Sequence, residues 1–186
     1  NNDGTPDYVV ASPNADFGGV DSGHVAAISG ATGAVLWTRD GAAGHRWGTS
    51  LVAIGDISGD GRSEIAVGAP NVDVGLVSIL NGANGSTVRT FSGDPFTRFG
   101  SALALLRPFG TGPIQLLVSE PMVAGSAGRV WLINPSLPPA ASAVWQNSGA
   151  LGEWIGERLA SLGDVNGDGT PDFLASRRNG RVDVRS

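Results

Sequence analysis

The stretch "DISGDGRSEIAVGAP", Asp56–Pro70, sets three carboxylates and two glycines into nine positions and then turns into an apolar segment. Counting from Asp56, the acids fall at loop positions 1, 5 and 9 (Asp56, Asp60, Glu64), with Ser58 at 3 and Gly61 at 6. Near the end of the chain "DVNGDGTPDFLAS", Asp164–Ser176, repeats the pattern with Asp164, Asn166, Asp168 and Asp172 around Gly169. At its start Asn1, Asp3 and Asp7 hold positions 3, 5 and 9, with Gly4 at 6. Asp-Gly and Asn-Gly pairs make tight turns unaided. A turn does not need an acid at position 9, inside the segment that follows, and the same phase returns three times.

Working outward, the position-6 glycines Gly4, Gly61, Gly112 and Gly169 are spaced 57, 51 and 57 residues apart. Upstream of the last three lie "RWGTSLVAIGD", "RFGSALALLRP" and "WIGERLASLGD"; downstream, "SGHVAAISGATGAVLWTRDG" matches "VGLVSILNGANGSTVRTFSG" and, more loosely, "AGRVWLINPSLPPAASAVWQ". Agreement at several points per period marks an internal repeat. Each repeat holds four short strand-like runs, in the second Gly48–Ile54, Glu64–Ala69, Leu76–Leu80 and Thr87–Phe91, separated by Gly- and Asn-rich turns. No helical periodicity of useful length is present. Four antiparallel strands per repeat predict an all-β chain of β-propeller blades. The strand count runs three, four, four and three, a partial ring of about three and a half blades. One propeller region, 1–186, divides into repeats at roughly 1–46, 47–98, 99–154 and 155–186. Open blade faces expose apolar surface, so the ring is expected to belong to a larger propeller or to close by self-association.

The loop chemistry suits a hard cation. Oxygen donors at positions 1, 3, 5 and 9 surround a sharp bend, and the position-7 carbonyl (Arg62, Thr170, Thr5) can turn inward. The logic is that of the EF-hand loop without its Glu at position 12. No His or Cys takes part, which disfavours zinc and copper, and magnesium tends to keep its waters. The expected cofactor is Ca2+, in two complete loops and a third cut short at the N-terminus. In the third repeat Arg107, Phe109, Thr111 and Gln115 stand at the ligand positions. The bend of Gly112 survives without a carboxylate, and no cation is expected there.

Composition narrows the function. The chain is 41% hydrophobic and 16% charged, with 29 Gly and a net charge of −5. All twelve basic residues are Arg and they are scattered, unlike the clustered basic face of a nucleic-acid binder. The absence of Cys excludes thiolate metal sites and cysteine nucleophiles. No run approaches the roughly 20 apolar residues of a membrane span. His24 and His45 are far apart in the repeat frame, and no hydrolase or phosphate-cradling motif appears, so no enzymatic activity is expected. Trp37 and Trp145 match in the outer strands, and Trp47 and Phe99 in the inner ones, which predicts packing between blades. Trp131, aligned with Ala27 and Ile79, is expected in the core, and Trp154 is the best exposed candidate for a sugar-binding surface.

The chain resembles FG-GAP repeats, the blades of the integrin α-subunit propeller and its bacterial relatives. Phe99-Gly100 is the literal aromatic-Gly pair, with Trp47-Gly48 a variant and Ile155-Gly156 a weaker match; Gly68-Ala69-Pro70 is the literal tripeptide. Ala11-Ser12-Pro13 and Ser119-Glu120-Pro121 are variants, and Ser176-Arg177-Arg178 departs from it. The resemblance implies a propeller, usually seven-bladed, whose calcium loop joins the first two strands of a blade. It also implies an extracellular or cell-surface location and a binding or adhesion role toward a protein or glycan ligand. The alternatives are a lectin propeller and an accessory domain of a secreted enzyme.

Overall fold

Successive side chains of a strand point to opposite faces, and the central strands are apolar and buried on both, so each sheet must be covered on two sides. The computed structural model describes residues 1–107, 112–123 and 125–185. The first sheet contains β1 (Tyr8–Ser12), β2 (His24–Ile28) and β3 (Val35–Asp40). The second contains β4 (Ser50–Gly55), β5 (Glu64–Ala69), β6 (Leu76–Leu80) and β7 (Thr87–Ser92). The third contains β8 (Leu103–Leu106), β9 (Gln115–Glu120), β10 (Arg129–Ile133) and β11 (Ala143–Ser148), and the fourth β12 (Leu159–Gly163), β13 (Asp172–Ser176) and β14 (Val182–Arg185). All neighbours are antiparallel and follow chain order. The only helix among the described residues is one turn, α1 (Pro139–Ser142), in the β10–β11 connection. The chain is a partial β-propeller of antiparallel blades.

The expected spans Glu64–Ala69 and Leu76–Leu80 coincide with β5 and β6. The first strand of that repeat starts two residues later than expected, at Ser50, because Gly48 has φ +91° and cannot extend a strand.

Alternation assigns each face to one seam. On β5, Ile65, Val67 and Ala69 pack with Val25, Ala27, Trp37 and Trp47 of the first repeat and its junction. Ala66, on the other face, packs with Leu116, Val118 and Phe99. The third seam joins Leu117 and Val130 to Ile155, Phe173 and Ala175. Trp47, Phe99 and Ile155 therefore sit at equivalent places in three successive cores, as blade-to-blade packing requires. On the first sheet the face that would look to a preceding blade is open, leaving Tyr8 61% and Val10 47% exposed.

Polar latches hold the seams. Trp37 Nε1 and Arg39 Nε donate to the carbonyls of Gly82 and Gly85 on the next blade's outer hairpin, both at 2.9 Å. Arg89, one blade on, donates to the Pro135 carbonyl at 3.2 Å. On the opposite edge the two halves of the repeat motif meet: the amides of Gly48, Gly100 and Gly156 donate to the carbonyls of Gly68, Ser119 and Ser176. Gly68 also faces the next blade, where a Cβ would stand 2.2 Å from the Gly100 carbonyl oxygen and 2.2 Å from Ser50 Oγ. Ser50 donates to that carbonyl at 2.6 Å.

Trp131 differs from expectation. It lies opposite Val118, as Ser78 lies opposite Val67 and Ala26 opposite Val10, one residue away from the Ala27 and Ile79 register. The register is fixed by Gly128, which turns against the backbone of Ile155 as Gly75 does against Phe99. Trp131 is half-buried against the second seam, its Nε1 donating to Glu120. Trp37 and Trp145 do share a register, opposite Ala27 and Leu132, although the Trp145 side chain lies outside the described residues.

Gly68→Ala forces a methyl against the neighbouring blade's backbone, where no side chain can swing aside. It should destabilise the protein by about 1–3 kcal/mol, read as a lower urea midpoint, whereas Val88→Ala, at an exposed outer position, should stay within about 0.5 kcal/mol.

Candidate metal centre

The acidic loops join the first two strands of a blade: residues 56–63 join β4 to β5, and 164–171 join β12 to β13. In the loop after β4, Asp56, Asp60 and Glu64 each bring a carboxylate oxygen within 4.8 Å of the others. Among the described residues no other three acidic or histidine side chains gather so closely. Asp56 folds the loop around itself: its carboxylate accepts the amides of Gly59 (2.6 Å), Asp60 (3.2 Å) and Gly61 (2.8 Å). These bonds, that of Gly61 foremost, hold the Asp56 carboxyl below its ordinary range against the opposing cost of desolvation. Glu64 is fully buried; it accepts the Ile57 and Ser58 amides on Oε2 and the Ser58 hydroxyl on Oε1. Asp60 accepts the Arg62 amide on Oδ1 and, across the blade, Asn81 Nδ2 on Oδ2 at 2.8 Å.

The loop after β12 copies this scaffold. Asp164 accepts the amides of Gly167, Asp168 and Gly169, and Asp168 that of Thr170 at 2.8 Å. Two substitutions change its interior. Asn166, in place of Ser58, donates through Nδ2 to Asp168 Oδ2. Asp172, one methylene shorter than Glu64, accepts the Val165 amide on Oδ2 at 2.7 Å, while its buried Oδ1 has no hydrogen-bond partner among the described residues.

In the first loop Thr5 donates its amide to Asp3 and Asp3 its amide to Asn1 Oδ1. Asp7 accepts the Gly30 amide at 3.1 Å. In the third repeat Phe109 and Thr111 lie outside the described residues. Arg107 points its guanidinium back toward the preceding loop: a Cβ on Gly55 would lie 3.4 Å from Nη2. Residues 5, 62 and 170 all present their amides to the position-5 acid, a role that spacing alone does not disclose.

Two features escape a reading of the loops by themselves. Asn81 and Gly30 belong to the outer hairpins yet bind the acids of their own blades; the Asn or Ser before Gly in "NGANG" and "SGATG" is the trace they leave. The hairpin that Asn81 fastens to Asp60 also carries the carbonyls gripped by Trp37 and Arg39, so the acidic loop is connected to a seam. The second feature is a row of Ser12, His24 and Asp40 across β1, β2 and β3. His24 Nδ1 lies 2.6 Å from Asp40 Oδ1, and the Phe17 ring is 4.8 Å from the imidazole. No hydrogen bond joins His24 to Ser12 among the described residues.

Fold and loops together define a class: a repeat propeller whose blades carry acidic loops between their first two strands. Residues 47–88 match the FG-GAP repeat family model. The chain is also 31% identical, over 145 residues, to integrin alpha-V of Gallus gallus, an alignment covering 72% of this chain and 14% of that protein. The chain belongs to the FG-GAP, integrin-α-like family, and it spans a small part of the length of the relative it matches.

Asn81→Ala should free the outer hairpin from the acidic loop. The amides of Ala83, which donates to Asn81 Oδ1, and Gly85 should then exchange with solvent faster. Hydrogen exchange at those two amides, compared with unchanged β5 amides, checks it.

Proposed function

We propose that this chain is a calcium-stabilised propeller region of a cell-surface or secreted protein, acting as a binding or adhesion module toward a protein ligand, with no chemistry of its own. The observation that carries the cation is Asp172. A carboxylate oxygen buried without a hydrogen-bond partner is costly, and a bound cation answers that cost while matching an all-oxygen donor set. Asp56, Ser58, Asp60, Arg62 and Glu64 would hold one ion; Asp164, Asn166, Asp168, Thr170 and Asp172 would hold another. Asn1, Asp3, Thr5 and Asp7 supply part of a third set. The ion supplies charge neutralisation, and the Asn81 tie would carry the resulting rigidity to the outer hairpin.

The likeness to integrin alpha-V supports the binding role and the location outside the cytoplasm. No described helix is long and apolar enough to cross a membrane. A glycan would need an open aromatic face, and at Trp154 the Arg178 guanidinium already lies 4.6 Å from the centre of the ring. The open face beside Tyr8 and Val10 is covered, in this reading, by another blade, whether from one larger propeller or from an associated copy. Residues 1–186 then act as one propeller region with repeat boundaries near 46, 98 and 154.

Calorimetric titration with calcium tests the central point. Asp60→Ala and Asp168→Ala should each lose one binding event. Each should also lose the calcium-dependent stabilisation of its site, about 2.7 kcal/mol at a hundredfold excess over the dissociation constant. In chelator the same variants should melt close to the parent. Equal stoichiometry and affinity in parent and variants would reduce these loops to ordinary turns.

A further inference from the structure

The face opposite the acidic loops repeats one backbone feature at each seam. The residue just before the pair that opens an inner strand is left-handed: Arg46 (φ 48°), Arg98 (φ 59°) and Trp154 (φ 51°). The cause is shared. The next residue backs onto a glycine of the preceding blade, Trp47 on Gly23, Phe99 on Gly75 and Ile155 on Gly128. The chain must turn sharply to reach that contact, so the fold displays whatever side chain stands at this position.

The three side chains are satisfied differently. Arg46 is paired with Asp21 at 2.9 Å. Arg98 is exposed and makes no side-chain hydrogen bond or ion pair among the described residues. Trp154 is half-buried under the guanidinium of exposed Arg178. Between Arg98 and Trp154 runs a groove of about 330 Å³, lined also by Ser101, Pro121, Glu157 and Arg158. Arg158 likewise has no side-chain partner among the described residues. Arg177, by contrast, is neutralised by Glu153 and Asp183. Two guanidiniums without an ion-pair partner among the described residues, Arg98 and Arg158, thus line the groove with one carboxylate, Glu157, in a chain whose net charge is −5.

The groove is also held in shape. Glu120, fully buried, accepts the Asp94 amide (2.9 Å) and the Thr97 hydroxyl (2.6 Å) on Oε1, and Trp131 Nε1 (2.8 Å) on Oε2, with Arg129 Nη1 at 3.3 Å. These bonds pin both ends of the segment that carries Phe96 and leads into Arg98. Two apolar side chains stand out from the loops that flank the groove, Phe96 (76% exposed) and Leu151 (80%).

We propose that this groove binds an acidic segment of a protein partner, with a carboxylate on Arg98 and Arg158 and neighbouring apolar side chains on Phe96 and Leu151. The inference rests on the protein-binding role proposed above and gives that partner its chemistry. Guanidinium forks match carboxylates in a fixed geometry, and a pre-ordered groove loses little entropy on binding. The exposed apolar rim favours a peptide over an acidic sugar, which would leave Phe96 and Leu151 unused.

The test uses the parent protein in calcium and an array of peptides carrying Asp or Glu flanked by Leu or Phe, each beside its Gln counterpart. A sulfated heparin oligosaccharide is the second probe. Acidic peptides should bind about tenfold or more tightly than their Gln counterparts, and binding should weaken as salt rises. Arg98→Gln with Arg158→Gln should reduce binding about tenfold or more without changing the melting temperature, since the left-handed position costs Gln and Arg alike. Arg46→Gln, whose arginine is already paired, should bind as the parent does. Equal binding of acidic and Gln peptides, full binding by the double variant, or selective binding of heparin would overturn the proposal. Retained capture of a protein partner by the double variant would overturn the groove alone and leave the protein-binding role standing.

Discussion

Everything in this molecule depends on how one sheet lies against the next. No blade has an interior of its own: the three cores fall between sheets, and each strand gives one face to each neighbour. The approach is fixed where backbone meets backbone, at Gly68 against the Gly100 carbonyl, and the blades can come that close only because a side chain is missing there. The aromatic of the next repeat then fills the core beside it. The two halves of the repeat motif, distant in sequence, are two sides of one contact: Gly48 hydrogen-bonds to Gly68, and Gly68 receives the equivalent glycine of the following blade.

Around that contact, polar groups fix the angle that apolar packing leaves soft. Trp37 and Arg39 clasp the outer hairpin of the second blade, and Arg89 clasps that of the third. Glu120 replaces the small residue that stands at this place in the second repeat, Ala69, and brings a buried carboxyl group into a seam otherwise closed by apolar groups. It is tolerated because four donors surround it. The acidic loop joins the same scheme through Asn81, so the loop, the hairpin and the seam form one connected unit.

Much of this was legible in the sequence, for reasons tied to particular residues. The period, the turn glycines and the short apolar runs "EIAVGA" and "LVSIL" give the strands, their grouping into four sheets and the all-β class. The acids at positions 1, 5 and 9 pick out the loop in which Asp56, Asp60 and Glu64 gather. What stayed hidden lies between distant segments. Nothing local in "SEP" announces that Glu120 meets Trp131 and Arg129, and nothing in "NGANG" announces that Asn81 reaches Asp60. The one-residue displacement of Trp131 arose because apolar residues on both faces make neighbouring registers look alike; only the contact of Gly128 with Ile155 separates them.

The left-handed residue at each seam has a consequence for how such a protein can change. Its backbone conformation is imposed by a glycine in the neighbouring blade and burdens almost every side chain to a similar degree. Arg46, Arg98 and Trp154 occupy it with different chemistry in one chain. Selection can therefore rewrite this face one letter per repeat, leaving the cores and the loops beneath untouched. A family built this way can acquire new partners without renegotiating its fold.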